Sequence, residues 1–99
     1  MYIALSKIKV RSGHKDKVLP VLKENSRMGS AREGYINSYL GCNDENNDEI
    51  LVFTIWKNKF LFEEARKSIK KDPQARKTVF QLLLHLTGEP KMETFSVIE

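Results

Sequence analysis

The sequence predicts an α+β fold: a ferredoxin-like βαββαβ plait with an antiparallel sheet and a second helix split in two. Three observations predict it. Segments 2–11, 34–42, 49–56 and 91–98 read as strands. Helical periodicity runs over about 14–28 and again from 59 to the glycine at 88. A polar stretch at 43–48 leaves the second and third strands as a hairpin. Strand, helix, hairpin, helix, strand is the order of the plait.

In the first strand, Tyr2, Ala4, Ser6, Ile8 and Val10 alternate with Ile3, Leu5, Lys7, Lys9 and Arg11, and Ser12-Gly13 ends the pattern. The first helix sets Val18, Leu19, Val21 and Leu22 on one face. Pro20 lies inside it, and an interior proline loses a backbone hydrogen bond, so a kink or a late start is expected there. Gly29 is the expected stop. The turn Asn43-Asp44-Glu45-Asn46-Asn47-Asp48 is built of residues whose side chains bond their own backbone. Its acidic residues lack the glycine and final glutamate of a calcium loop. Glu49–Trp56 is β-branched and aromatic, the strongest strand of the chain.

Asn58 is placed to cap a helix to about residue 70, with Phe62, Ala65 and Ile69 along one stripe. Asp72-Pro73 then restarts the helix, with aspartate at the N-cap and proline at the first position. Ala75, Val79, Leu82, Leu83 and Leu86 form the apolar stripe of this second piece.

Composition narrows the function classes. The 99 residues make one domain, 1–99, with 40% apolar and 30% charged residues and a formal charge of +4. No apolar run reaches the length of a bilayer span, and the start lacks the basic and apolar regions of a signal peptide. The single cysteine, Cys42, excludes an intrachain disulfide and multi-cysteine zinc motifs. A cytoplasmic protein with no membrane partner is expected. The charge is uneven: residues 57–77 carry +5 and 41–56 carry −4. Glu63, Glu64 and Asp72 within the basic stretch mark it as a solvated helix face. The third strand has an acidic entry, no glycine and no basic lead, unlike the RNA-recognition modules of the same element order, so no nucleic acid is expected.

Both faces of the central strands are apolar. In the third strand Ile50, Val52 and Trp56 oppose Leu51, Phe53 and Ile55, and in the first Ile3 and Leu5 oppose Ala4, Ile8 and Val10. Helices cover one sheet face only. The other face therefore predicts a homodimer, sheet against sheet across a two-fold axis.

These features make the chain resemble the antibiotic biosynthesis monooxygenase family, within the dimeric α/β-barrel superfamily. The likeness rests on the apolar first strand ending near Arg11-Ser12-Gly13 and on the Glu33-Gly34-Tyr35 entry to strand two. It rests also on Val52-Phe53-Thr54-Ile55-Trp56-Lys57 followed by Phe60-Leu61-Phe62, and on the closing strand Glu93-Thr94-Phe95-Ser96-Val97. The resemblance implies a dimeric barrel and, in some members, oxygenation of an aromatic substrate without a cofactor. It implies that Trp56 matches a tryptophan lining a cavity between sheet and helices; as a large aromatic, Trp56 also serves as core. The haem-degrading branch carries asparagine, tryptophan and histidine where this chain has Ser6, Ala65 and Ala75, so no haem is expected.

The candidate site residues follow. Trp56 and Phe62 are spaced to face one end of a helix–sheet space, as a slot for a small aromatic ligand. Strand parity groups Ser6 with Tyr2, Ala4 and Ile8, and Asn37 with Tyr35 and Tyr39. Ser6, Asn37, Tyr39, Trp56 and Phe62 would then line the space, with Arg76 supplying charge to an anionic substrate. His85, or Tyr39, is the candidate proton acceptor, histidine being preferred because its ordinary pKa is about 6.5. His14 and His85 are the only histidines, so no histidine-rich metal site is expected. Two functions stand: a cofactor-independent monooxygenase of small aromatic or quinol-like substrates, and a non-catalytic dimer that binds a small hydrophobic ligand or is stress-associated.

Overall fold

The computed structural model describes residues 1–99. The elements are β1 (Tyr2–Lys9), α1 (Lys15–Ser30), β2 (Tyr35–Cys42), β3 (Glu49–Trp56), α2 (Lys59–Lys71), α3 (Pro73–Leu83) and β4 (Lys91–Ser96). The four strands form one antiparallel sheet in the order β2-β3-β1-β4. The fold is the ferredoxin-like plait, βαββααβ with its second helix split.

The local signals account for the boundaries. Asn58 accepts a hydrogen bond from the Leu61 N–H and starts α2, and Asp72 accepts from the Gln74 N–H and starts α3 with Pro73 behind it. Asn43 and Asn46 each accept from the backbone two residues on, at Glu45 and Asp48, closing the hairpin turn. Helix α1 begins at Lys15 and runs through Pro20, so there is no late start. The proline lies early and on the exposed side, where one missing bond is tolerated. The helix also passes Gly29 to end at Ser30. Strand β1 stops at Lys9, short of Arg11, because Val10 leaves the ladder to form an isolated bridge with Leu86. That bridge also ends α3 at Leu83, before Gly88.

Helices cover one face of the sheet. Tyr2, Ala4, Ile8 and Val10 of the first strand and Ile50 and Trp56 of β3 are buried against them. The buried residues fall into two clusters. Ile8, Val10, Val18, Leu22, Ile50, Leu82 and Leu86 form one, and Tyr2, Ala4, Trp56, Phe62 and Ala65 form the other. On the opposite face Ile3, Leu5, Leu51, Phe53 and Ile55 are half-buried and no helix covers them.

Two expectations about side-chain direction are corrected here. The register of β2 shifts between Tyr35 and Asn37, so Tyr35 pairs with Trp56 and Asn37 with Ile55. A bulge inserts one residue and reverses parity. Tyr35 therefore faces the helices, whereas Asn37 and Tyr39 face the other way. In α3, Val79 and Leu83 are 40% and 42% exposed, outside the core. Thr78 is buried instead, its hydroxyl satisfied by the Gln74 carbonyl at 3.0 Å.

Candidate functional site

The sheet's helix side carries an aromatic end. Trp56 closes β3, and Phe62 lies within the first turn and a half of α2. The Trp56 ring meets Phe62 edge-on at 5.8 Å and Tyr35 edge-on at 5.7 Å, and Phe62 lies 5.4 Å from Tyr2. Trp56 is 4% and Phe62 6% exposed, so each fills space against the other rings. Tyr2 and Tyr35 complete the group. Sequence reasoning passed over them as site residues, although both pair with Trp56, Tyr2 from β1 and Tyr35 from β2.

A polar band lies beside the rings. Trp56 Nε1 donates to Thr54 Oγ1 at 3.1 Å, and the Tyr35 hydroxyl donates to Ser38 Oγ at 2.7 Å. Ser38 pairs with Thr54, Thr54 with Ala4, and Ala4 with Thr94. One step along, Leu40 pairs with Val52, Val52 with Ser6, and Ser6 with Met92. Ser6, Ser38, Val52 and Thr54 are half-buried between the two dry clusters. Thr54 and Ser38 accept from the aromatics and keep their own O–H groups free to donate. Ser6 sits on the central strand β1, and its hydroxyl makes no hydrogen bond to another protein side chain or carbonyl. The band therefore offers hydroxyl donors next to a rigid aromatic wall.

The remaining predicted residues do not converge on it. Tyr39 is 56% exposed on the opposite face of the sheet, where Asn37 Nδ2 donates to its hydroxyl at 3.0 Å. Arg76 is exposed on α3. His85 lies at the far end, where its carbonyl accepts from the Arg11 N–H. Trp56 pairs with Tyr2, which lies nine residues before Arg11 along the first strand, or roughly 30 Å at strand rise. His85 is thus no neighbour of the Trp56–Phe62 pair.

At that far end His14 Nδ1 and His85 Nδ1 stand 3.0 Å apart, so one ring donates and the other accepts. Desolvation first, then the charges of Lys17, His85 and Arg11, hold His14 below the ordinary histidine range. No group of three or more His, Cys, Asp and Glu side chains stands close enough to hold a metal ion. A groove of about 320 Å³ lies elsewhere, between α2 and the turn after α1, lined in part by Arg32, Phe60, Leu61 and Ser68. Arg32, in its lining, donates to Ser68 Oγ at 2.8 Å and to Asp72 at 3.4 Å.

Comparison with known proteins agrees with this architecture. SnoaB, a cofactor-independent oxygenase from Streptomyces nogalater, superposes with a TM-score of 0.81 at 12% identity, over 99% of this chain and 93% of that one. Rv0793 from Mycobacterium tuberculosis gives 0.80 at 13% identity, over 99% of this chain and 95% of that one. A conserved protein from Methanosarcina mazei Go1 gives 0.80 at 14% identity, over 95% of this chain and 89% of that one. At such identities the likeness is one of fold. No curated protein matches the sequence. No helix is long and apolar enough to cross a membrane. The family model described as antibiotic biosynthesis monooxygenase matches residues 1–80, and the chain belongs to that family.

Proposed function

We propose that the protein is a cofactor-independent monooxygenase of a small aromatic, phenol- or quinol-like substrate, bound on the helix side of the sheet. The observation that carries this reading is the half-buried hydroxyl band Ser6, Ser38 and Thr54 beside the Trp56–Tyr35 wall, in a member of this family. Hydroxyl donors stabilise a phenolate and so favour its ionised form. An electron-rich ring carbon of that anion bonds to dioxygen as a peroxide, whose loss of water leaves a quinone carbonyl. One oxygen atom stays in the product, the other leaves as water, and the substrate supplies all four electrons. The protein's part is to donate hydrogen bonds to the anion, orient the ring and limit water. His85 and Tyr39, set apart from the band, have no place in this scheme as proton acceptors.

The active unit in this reading is a homodimer, built through the face that carries Ile3, Leu5, Leu51, Phe53 and Ile55. Light scattering at micromolar concentration then reports twice the chain mass, and a folded monomer refutes it. A second reading, a non-catalytic small-ligand-binding dimer, is favoured by one observation: the band holds no histidine or carboxylate to take a proton. Oxygen uptake with a panel of hydroquinones and polycyclic phenols, without metal or flavin, separates the two. Uptake above the buffer rate, reduced by Ser6→Ala, supports the monooxygenase. No uptake with any member of the panel favours the binding protein.

A further inference from the structure

We propose that the outer face of α3 docks the protein onto an anionic lipid bilayer. Helix α3 buries Ala75, Thr78 and Leu82, yet its remaining surface carries large apolar side chains as well as polar ones. Phe80 is 65% exposed and Leu84, just past its end, 58%; Leu83 and Val79 flank them at 42% and 40%. Phe80 and Leu84 are one turn apart on the side away from the core, which makes a continuous patch rather than scattered apolar residues. Patches of this kind mark interaction surfaces.

The charge around the patch identifies the occupant. Arg76 and Lys77 lie one turn before Phe80 and two before Leu84 on the same outer side, and Lys70 and Lys71 end α2 immediately before. None of these four cations enters an ion pair; Asp72, between them, is taken by Arg32. Helix α3 contains no acidic residue. Bulky apolar side chains beside unpaired cations are what a helix lying on an anionic membrane presents: the apolar groups enter the acyl boundary and the cations meet headgroups. A second copy brought to the same face would offer the same cations and no acid. The face is also on the helix side, away from the sheet face assigned above to dimerisation. No helix is long and apolar enough to cross a bilayer, and the proposed contact is at the surface. This departs from the expectation, drawn from composition, of no membrane partner.

The test is co-sedimentation of the full chain with vesicles of equal parts phosphatidylcholine and phosphatidylglycerol, against vesicles of phosphatidylcholine alone. Binding to the anionic vesicles that weakens as salt is raised is the expected result. Replacing Phe80 and Leu84 by serine should weaken it at least about tenfold, since each side chain gives up apolar burial. Arg76→Ala with Lys77→Ala should weaken it by roughly tenfold as well and flatten the salt dependence. Both pairs are exposed, so circular dichroism and melting temperature should stay at the parent values. Absence of sedimentation with either vesicle overturns the proposal, as does equal sedimentation with both. Self-association that the Phe80 and Leu84 replacements abolish, without vesicle binding, also overturns it and assigns the face to a second copy. Binding that survives both pairs of substitutions shows that lipid is met elsewhere, and equally overturns it.

Discussion

Replacing Gly34 by alanine tests how the entry to β2 is built. Gly34 has φ +88°, and a left-handed conformation costs a residue with a Cβ about 1–2 kcal/mol. The added Cβ would also stand 2.6 Å from Leu61 Cβ and 2.7 Å from Leu61 Cδ1. The methyl can swing aside, but the Leu61 Cβ is fixed to the α2 backbone, so the helix or the turn must move. Overpacking of this kind costs about 1–3 kcal/mol. The total is roughly 2–5 kcal/mol, a large share of the ~5–15 kcal/mol that holds a domain of this size. Gly13 supplies the control. Its φ is +82° and nothing lies within 4 Å of an added Cβ, so Gly13→Ala carries the conformational cost alone. Urea unfolding of both variants, at equal m-value, gives the two losses directly. Gly34→Ala should exceed Gly13→Ala by about 1 kcal/mol or more. Equal losses would refute the close-approach argument, and a loss at Gly34 below about 1 kcal/mol would refute both terms. Function should follow stability, because Gly34 adjoins Tyr35, whose ring holds Trp56 edge-on.

Further outcomes are expected. Thr54→Val leaves the buried indole N–H of Trp56 without its acceptor and should cost about 1–3 kcal/mol in urea unfolding, with oxygen uptake falling alongside. Ser6→Ala should change stability by less than about 1 kcal/mol but lower kcat/KM roughly tenfold, the worth of one hydrogen bond to the phenolate; unchanged kinetics would remove Ser6 from the site. His85→Ala should leave oxygen uptake at the parent rate, and a loss with the fold intact would contradict its separation from Trp56. The folded state holds His14 below its ordinary value, so the stability due to its neutral form is present above about pH 6.5 and is lost as pH falls through the lowered value. The melting temperature should therefore drop on acidification below about pH 6.5, and His14→Gln should remove part of that slope.

Much of this was legible in the chain because it is encoded locally. Alternation gave the strands, Asn58 and Asp72-Pro73 gave the helix starts, and the asparagines of 43–48 gave the turn. The features that escaped are set by tertiary pairing. No glycine or proline marks the bulge after Tyr35; it appears only when β2 meets β3, and it alone moves Tyr39 and Asn37 off the helix side. The inward turn of Thr78 and outward turn of Val79 depend on the angle at which α3 lies on α1 and α2. His14 and His85 are 71 residues apart in sequence, and nothing local announces their contact. Trp56 and Phe62, on adjacent elements, meet each other; Asn37 and Tyr39 miss them because of the bulge, and His85 because it lies beyond α3 at the other end of the sheet.

The two dry clusters, with hydroxyls between them, have a thermodynamic consequence. Each cluster ties a different part of the helical layer to the sheet: α2 at the Trp56 end, α1 and α3 at the Ile50 end. A molecule seated between them would bridge both and bind the folded chain alone. Its effect would appear as a rise in melting temperature with concentration, about 2.7 kcal/mol of added stability at a hundredfold excess over Kd. Such a rise needs no turnover. A thermal screen can therefore find the ligand of this chain whether the bound molecule reacts with oxygen or is merely held.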